Sequence, residues 1–191
     1  MNPINQALGI VLAILLIGVN AFFVGAEFSL ISARRDRLEA LAEQGKARAV
    51  TVIRAGEQLP AMLAGAQLGV TVASLLLGRI GEAAVASVLR TTFGLAGLHP
   101  ALLHTLSLVI ALAIVVTLHV LLGEMVPKNI ALAGPERTAM LLVPPYLVYV
   151  CAPPGRSSRS TTSAPPWWCA RWASSPRTNS TSRCPPPSWA R

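Results

Sequence analysis

Residues 101–123 read ALLHTLSLVIALAIVVTLHVLLG, 23 residues with no Lys, Arg, Asp or Glu among them. A helix rises 1.5 Å per residue, so about 20 apolar residues cross the hydrocarbon core of a bilayer. Two further runs have the same character, Leu8–Ala26 and Leu59–Leu77, each of 19 residues. The composition agrees: the 191 residues are 53% hydrophobic and 13% charged, with mean hydropathy +0.56, which argues against an ordinary water-soluble core. No basic residue precedes the first run, and it exceeds the 7–15 apolar residues typical of a secretory signal, so it reads as a retained span. The fold class that follows is an all-α membrane protein with three transmembrane helices in a lipid bilayer.

The net charge of +8 suggests nucleic acid only until the charges are located. Residues 1–151 hold ten Lys or Arg against eight acids, and the other six basic residues are all Arg in 152–191. No nucleic-acid partner is therefore expected. Arg34, Arg35, Arg37, Lys46, Arg48 and Arg54 cluster between the first two runs, whereas residues 1–33 carry no basic side chain. The positive-inside rule places that connection in the cytoplasm and the amino terminus outside, in a multi-pass cell-membrane protein. Within the connection, ARRDRLEALAEQGKARA (33–49) reads as an amphipathic belt helix with Leu38 and Leu41 on one face, closed by Gly45. The expected organisation is a transmembrane domain over 1–138, an amphipathic juxtamembrane segment over 139–151, and a separate tail. Pro144 and Pro145 interrupt the juxtamembrane segment, which is too short for a fourth crossing and is expected to lie on the membrane surface.

Ionisable groups at membrane depth are costly and mark functional positions, which singles out Glu27 and Glu124. Glu27 either lines a site with Asn20, seven residues earlier on the same helix face, or meets interfacial water and pairs with Arg34. In the second run Gln67, Thr71 and Ser74 share one stripe, as interhelical glue or as a ligand site. Ala61, Gly65, Gly69 and Ala73 form a small-residue stripe on the opposite side, suited to close helix packing, either in a homodimer or against another helix of its own chain. At the end of the third run, Pro127 has no N–H, so the carbonyl of Gly123 loses its helical partner beside the Glu124 carboxylate. Hard cations are bound by such oxygens. The alternative is that Pro127 ends the helix and Lys128 pairs with Glu124. His119, about 140° from Glu124 on an α-helix, reads as a packing residue.

Three stretches carry a family resemblance: NAFFVGAEFSLISARRDRLEAL, LAGAQLGVTVASLLLGRIGE and LGEMVPKNIALAGPERTA, spanning Asn20 to Ala139. The sequence resembles the CNNM/CorC transmembrane family, often labelled hemolysin-like. The resemblance implies an extracellular amino terminus, three spans, a belt helix, a homodimer and Mg²⁺ as the transported ion rather than a prosthetic group. It also implies metal-ligand roles for Glu124, Gly123, Glu27, Asn20, Gln67 and Thr71. Val24-Gly25-Ala26-Glu27 stands where magnesium-associated members tend to have Ser-x-Ser-Glu, and Gln67 and Thr71 stand in for Asn residues of the second span. Family members usually continue into a paired CBS regulatory module, which is not recognised in this sequence.

Residues 152–191 contain no Leu, Ile, Val, Phe, Tyr, Lys, Asp or Glu but hold all four tryptophans, eight prolines and nine serines. That composition builds no core and suggests a disordered tail, either out-of-frame sequence or an authentic segment touching anionic lipid. Cys151, Cys169 and Cys184 show neither a disulfide framework nor zinc spacing. No nucleophile–base pair, phosphate loop or redox motif appears, so no enzyme is expected. The functional expectation is the membrane module of a divalent-cation transporter or exporter that lacks its regulatory region. A non-transporting scaffold that modulates another transport protein is the alternative.

Overall fold

The computed structural model describes residues 3–93 and 100–151, and among them every regular element is helical. The expected tail, 152–191, lies outside the described residues. Three helical stretches are long and apolar enough to cross a membrane: Ile4–Ser32, Leu59–Arg90 and Ala101–Ala133. The first belongs to α1 (Pro3–Ser32) and the second to α4 (Leu59–Phe93). The third is α5 (Pro100–Leu118), a π-helical turn (His119–Met125) and α6 (Val126–Ala133), joined end to end.

These helices outrun the apolar stretches that announced them. Hydropathy ends a span at its first charges, but a helix continues until its backbone bonding fails. Thus α4 carries on beyond Leu77 past Arg79 and Glu82, and the third helix passes Pro127 before ending at Gly134.

The belt is two short helices, α2 (Arg35–Glu43) and α3 (Ala47–Gly56). Gly45 between them has φ +83°, a left-handed conformation that glycine adopts without a Cβ penalty, and this closes α2 where expected. Leu38 on α2 and Ala49, Val52 and Ala55 on α3 are buried. On the exposed side Arg35 pairs with Glu39 at 2.8 Å, an i, i+4 bridge that adds little in water.

Packing is layered along the bundle. The layer far from the belt is apolar: Ala13 and Leu16 of α1, Leu77 of α4 and Val115 of α5 bury one another. A Cβ on Gly9 would stand 2.9 Å from the Cβ of Ala84, so α1 and α4 approach closely there. Lipid is as apolar as Leu and gives helices no hydrophobic reason to associate, so such small-residue contacts must supply dispersion energy. The outward faces carry Leu8, Val11, Leu15, Leu75, Leu102 and Val109, all exposed, as a lipid-facing surface requires.

The layer near the belt is aromatic. Phe23 packs edge-on against Phe22 at 5.4 Å and Tyr149 at 4.8 Å, with Tyr146 alongside at 6.2 Å. Tyr146 and Tyr149 belong to α7 (Pro135–Cys151). This corrects the expectation of an interrupted segment, because α7 runs through Pro144 and Pro145 as one helix. Its Ala139, Val143, Tyr146 and Leu147 are buried at i, i+4, i+7 and i+8 spacing, and the Tyr146 hydroxyl donates to the Met62 carbonyl of α4. Those contacts hold the helix together where two prolines remove backbone donors.

The small-residue stripe faces inward. A Cβ on Gly69 would come within 2.7 Å of three Phe23 ring atoms, and one on Gly65 within 2.9 Å of the Tyr146 hydroxyl. Ala73 is buried and Ala61 half-buried. The stripe therefore packs on α1 and α7 of its own chain, the intramolecular of the two uses expected of it.

Candidate functional site

Between the apolar and aromatic layers lies a polar one. Asn20 of α1 is fully buried, and an unpaired amide there would be costly. Its Nδ2 donates to the carbonyl of Gly123 at 3.0 Å. Its Oδ1 accepts from Ser74 Oγ of α4 at 3.4 Å. Ser74 Oγ lies 3.3 Å from His119 Nε2, which is in turn 3.2 Å from Glu124 Oε1. All three spanning helices thus meet in one chain of polar contacts.

The π turn makes this possible. A π turn closes i→i+5 bonds, shown by the Val126 N–H donating to the Leu121 carbonyl. Residues five apart are then brought to one face, so His119 and Glu124 meet. On an α-helix they would diverge, and for that reason sequence reasoning left His119 as a packing residue. Its role here corrects that reading. No composition signal in HVLLGEM marks a π turn, although Gly123 and Pro127 mark weak backbone.

Gly123 is buried in a tight place: a Cβ would meet Asn20 Nδ2 at 3.1 Å and His119 Nδ1 at 3.3 Å, so either side chain would have to give way. Its carbonyl lacks the Pro127 donor, as expected, but is not free, since Asn20 supplies the missing hydrogen. A carbonyl oxygen has two lone pairs and can take a second partner beside Asn20.

Neither salt bridge weighed for the two carboxylates forms among the described residues. Lys128 does not pair with Glu124; its Nζ sits 4.4 Å from the centroid of the Phe28 ring. Arg34 pairs with Asp36 at 3.6 Å rather than with Glu27. Glu124, with a side chain 46% exposed, stands beside His119 with no Lys or Arg bridge among the described residues.

The remaining expected site residues are not all drawn together. Glu27 lies about 10 Å farther along α1 than Asn20, with Gln67 of α4 in hydrogen-bonding reach. Thr71 is exposed and donates to the Gln67 carbonyl at 2.8 Å, back onto its own helix. Ser29, on the other face of α1, donates to the Ala26 carbonyl at 3.0 Å. The structure thus groups Asn20, Gly123 and Glu124 with Ser74 and His119, and it places Glu27 and Gln67 as a second pair toward the belt. Among the described residues no three of His, Cys, Asp and Glu converge as a metal cluster. The donors at the centre are mostly neutral oxygens with one carboxylate, a set suited to hard cations.

A three-helix membrane bundle with a polar layer at a broken third helix defines the class. The model of the cyclin M transmembrane N-terminal domain matches residues 11–153, and the chain belongs to that family. It is 82% identical over 141 residues to Rv1841c of Mycobacterium tuberculosis, described only as uncharacterized, covering 74% of this chain and 40% of that protein. It is 34% identical over 134 residues to the UPF0053 protein YhdT of Bacillus subtilis, covering 70% of this chain and 29% of the relative. A second M. tuberculosis protein, the UPF0053 protein MT1890, is 35% identical over 143 residues, covering 75% of this chain and 31% of the relative. The matched part spans two-fifths or less of each of these relatives.

Proposed function

We propose that the chain is the membrane module of a divalent-cation transport protein, with Mg²⁺ as cargo and the polar layer as its binding site. The observation that carries this reading is the fully buried Asn20 amide, which ties α1 to the Gly123 carbonyl beside a carboxylate without a Lys or Arg bridge. Glu124 supplies charge, the second lone pair of the Gly123 carbonyl and the hydroxyl of Ser74 supply neutral oxygens, and Asn20 offers Oδ1 once Ser74 turns away. Mg²⁺ keeps part of its water shell, so a few protein oxygens suffice. Glu27 and Gln67 form a second station between this site and the belt, along the path an ion would follow.

The module is oriented with its amino terminus outside, because the basic residues gather at the belt. It acts as a homodimer, and the outward Gln67 and Thr71 lie on a face of α4 that a second copy would remove from lipid. The test is Mg²⁺ flux into proteoliposomes loaded with a fluorescent indicator. Asn20→Ala and Glu124→Ala are expected to abolish flux while leaving reconstitution efficiency unchanged. Flux equal to that of the unaltered chain in both variants would refute the proposal.

A further inference from the structure

A second site lies at the belt, independent of the polar layer. Lys46 precedes α3, Arg48 lies in its first turn and Arg137 lies in the first turn of α7; with Ala47, Met140 and Leu141 they line one open cavity of about 510 Å³. Topology puts these segments on the same membrane face, since α2 and α3 join the end of α1 to the start of α4 and α7 begins where the third span ends on that side. Three cations have converged from positions 90 residues apart.

Among the described residues none of the three has an ion-pair partner. The ion pairs on this face are Arg34 with Asp36, Arg35 with Glu39 and Arg37 with Glu136, and none includes Lys46, Arg48 or Arg137. Glu136, adjacent to Arg137 in the chain, is buried and faces Arg37 at 3.8 Å, so it does not neutralise the cavity. The rest of the lining, Ala47, Met140 and Leu141, is apolar, and Leu141 is 64% exposed. A soluble anion would satisfy the cations and leave Leu141 in water. An amphiphile with an anionic head satisfies both.

We propose that this cavity binds the phosphodiester headgroup of an anionic phospholipid from the adjoining leaflet, with the acyl chains running along Met140 and Leu141. Arginine presents a planar fork that grips phosphate oxygens in pairs, and lysine adds a mobile point charge. Basic pockets beside membrane helices suit such headgroups, since each cation near an anionic surface adds attraction. The bound lipid ties the α2–α3 turn to the start of α7, beside the Arg37–Glu136 pair.

The test is native mass spectrometry of the purified full chain, released from micelles containing equal phosphatidylglycerol and phosphatidylcholine. Retained phosphatidylglycerol is expected, reduced at least about tenfold in Lys46→Ala/Arg48→Ala/Arg137→Ala, as the loss of three charges implies. Arg34→Ala/Arg35→Ala/Arg54→Ala, which removes the same charge from the same face, is expected to retain it. The single variant Arg137→Ala, at an exposed position that leaves the fold alone, is expected to show an intermediate loss. Equal loss in both triple variants would mean diffuse attraction and overturn the site, as would undiminished retention in the first. Displacement by glycerol 1-phosphate or by a polyglutamate peptide at matched concentration would assign the cavity to a soluble anion or an acidic protein segment and equally overturn it.

Discussion

His119 Nε2 stands 3.2 Å from Glu124 Oε1 because the five-residue step between them is a turn of π-helix. Its other nitrogen, Nδ1, is buried with no hydrogen-bond partner among the described residues, so a proton on Nε2 has acceptors in Glu124 and Ser74 while one on Nδ1 has none there. The imidazole is thereby fixed as a donor that holds the carboxylate toward the bundle. Gln offers an N–H at nearly the same reach and Leu offers none. His119→Gln should keep Mg²⁺ affinity within about threefold, whereas His119→Leu should weaken it about tenfold, roughly the contribution of one charge-assisted hydrogen bond. Equal affinity in His119→Leu would remove His119 from the site.

Asn20, like Ser74, bonds both other spanning helices. Asn20→Leu fills a similar volume but leaves the Gly123 carbonyl without a donor. Interhelical hydrogen bonds in bilayers are worth about 0.6–2 kcal/mol, and the variant should lose stability in that range. Denaturant titration of the chain in detergent micelles measures it, and unchanged stability would show that the 3.0 Å bond contributes nothing.

Gly69→Ala tests the inward direction of the small-residue stripe. The new methyl would press on the Phe23 ring from 2.7 Å, and overpacking of this kind costs about 1–3 kcal/mol. Phe23→Leu in the same chain should relieve much of that cost, a coupling that a double-mutant cycle reads directly. Loss of dimer with monomer stability unchanged would return the stripe to an intermolecular role.

Much of the bundle was legible because lipid imposes a length and a polarity on every span. The three runs starting at Leu8, Leu59 and Ala101 needed only counting, and Gly45 marked the end of α2 through a conformation that other residues avoid. Backbone irregularity was not legible. Pro127 announced a missing donor to the Gly123 carbonyl but not that Asn20, 103 positions before Gly123, would supply one. Pro144 and Pro145 suggested a break, and only the packing of Tyr146 on Phe23 and Met62 shows why α7 continues. The π turn had no signature at all, and with it went the meeting of His119 and Glu124. The direction of the Gly65/Gly69 stripe was undetermined for a related reason, since spacing says that two helices approach but not which two.

Orientation is tested by chemistry at Lys46. With Cys151, Cys169 and Cys184 replaced by Ser, a cysteine introduced by Lys46→Cys should resist an impermeant maleimide in intact cells and react after permeabilisation. Labelling in intact cells would invert the topology and place the belt outside.

The central claim is that the polar layer binds a hard divalent cation through Glu124. Isothermal titration of Mg²⁺ into the purified chain in detergent tests it most directly, alongside Glu124→Gln and the exposed control Glu43→Gln. The account predicts saturable binding that Glu43→Gln preserves and that Glu124→Gln weakens at least about tenfold, because the substitution removes the only negative charge among the oxygens facing the site. Identical Mg²⁺ affinity in Glu124→Gln and the unaltered chain would contradict it.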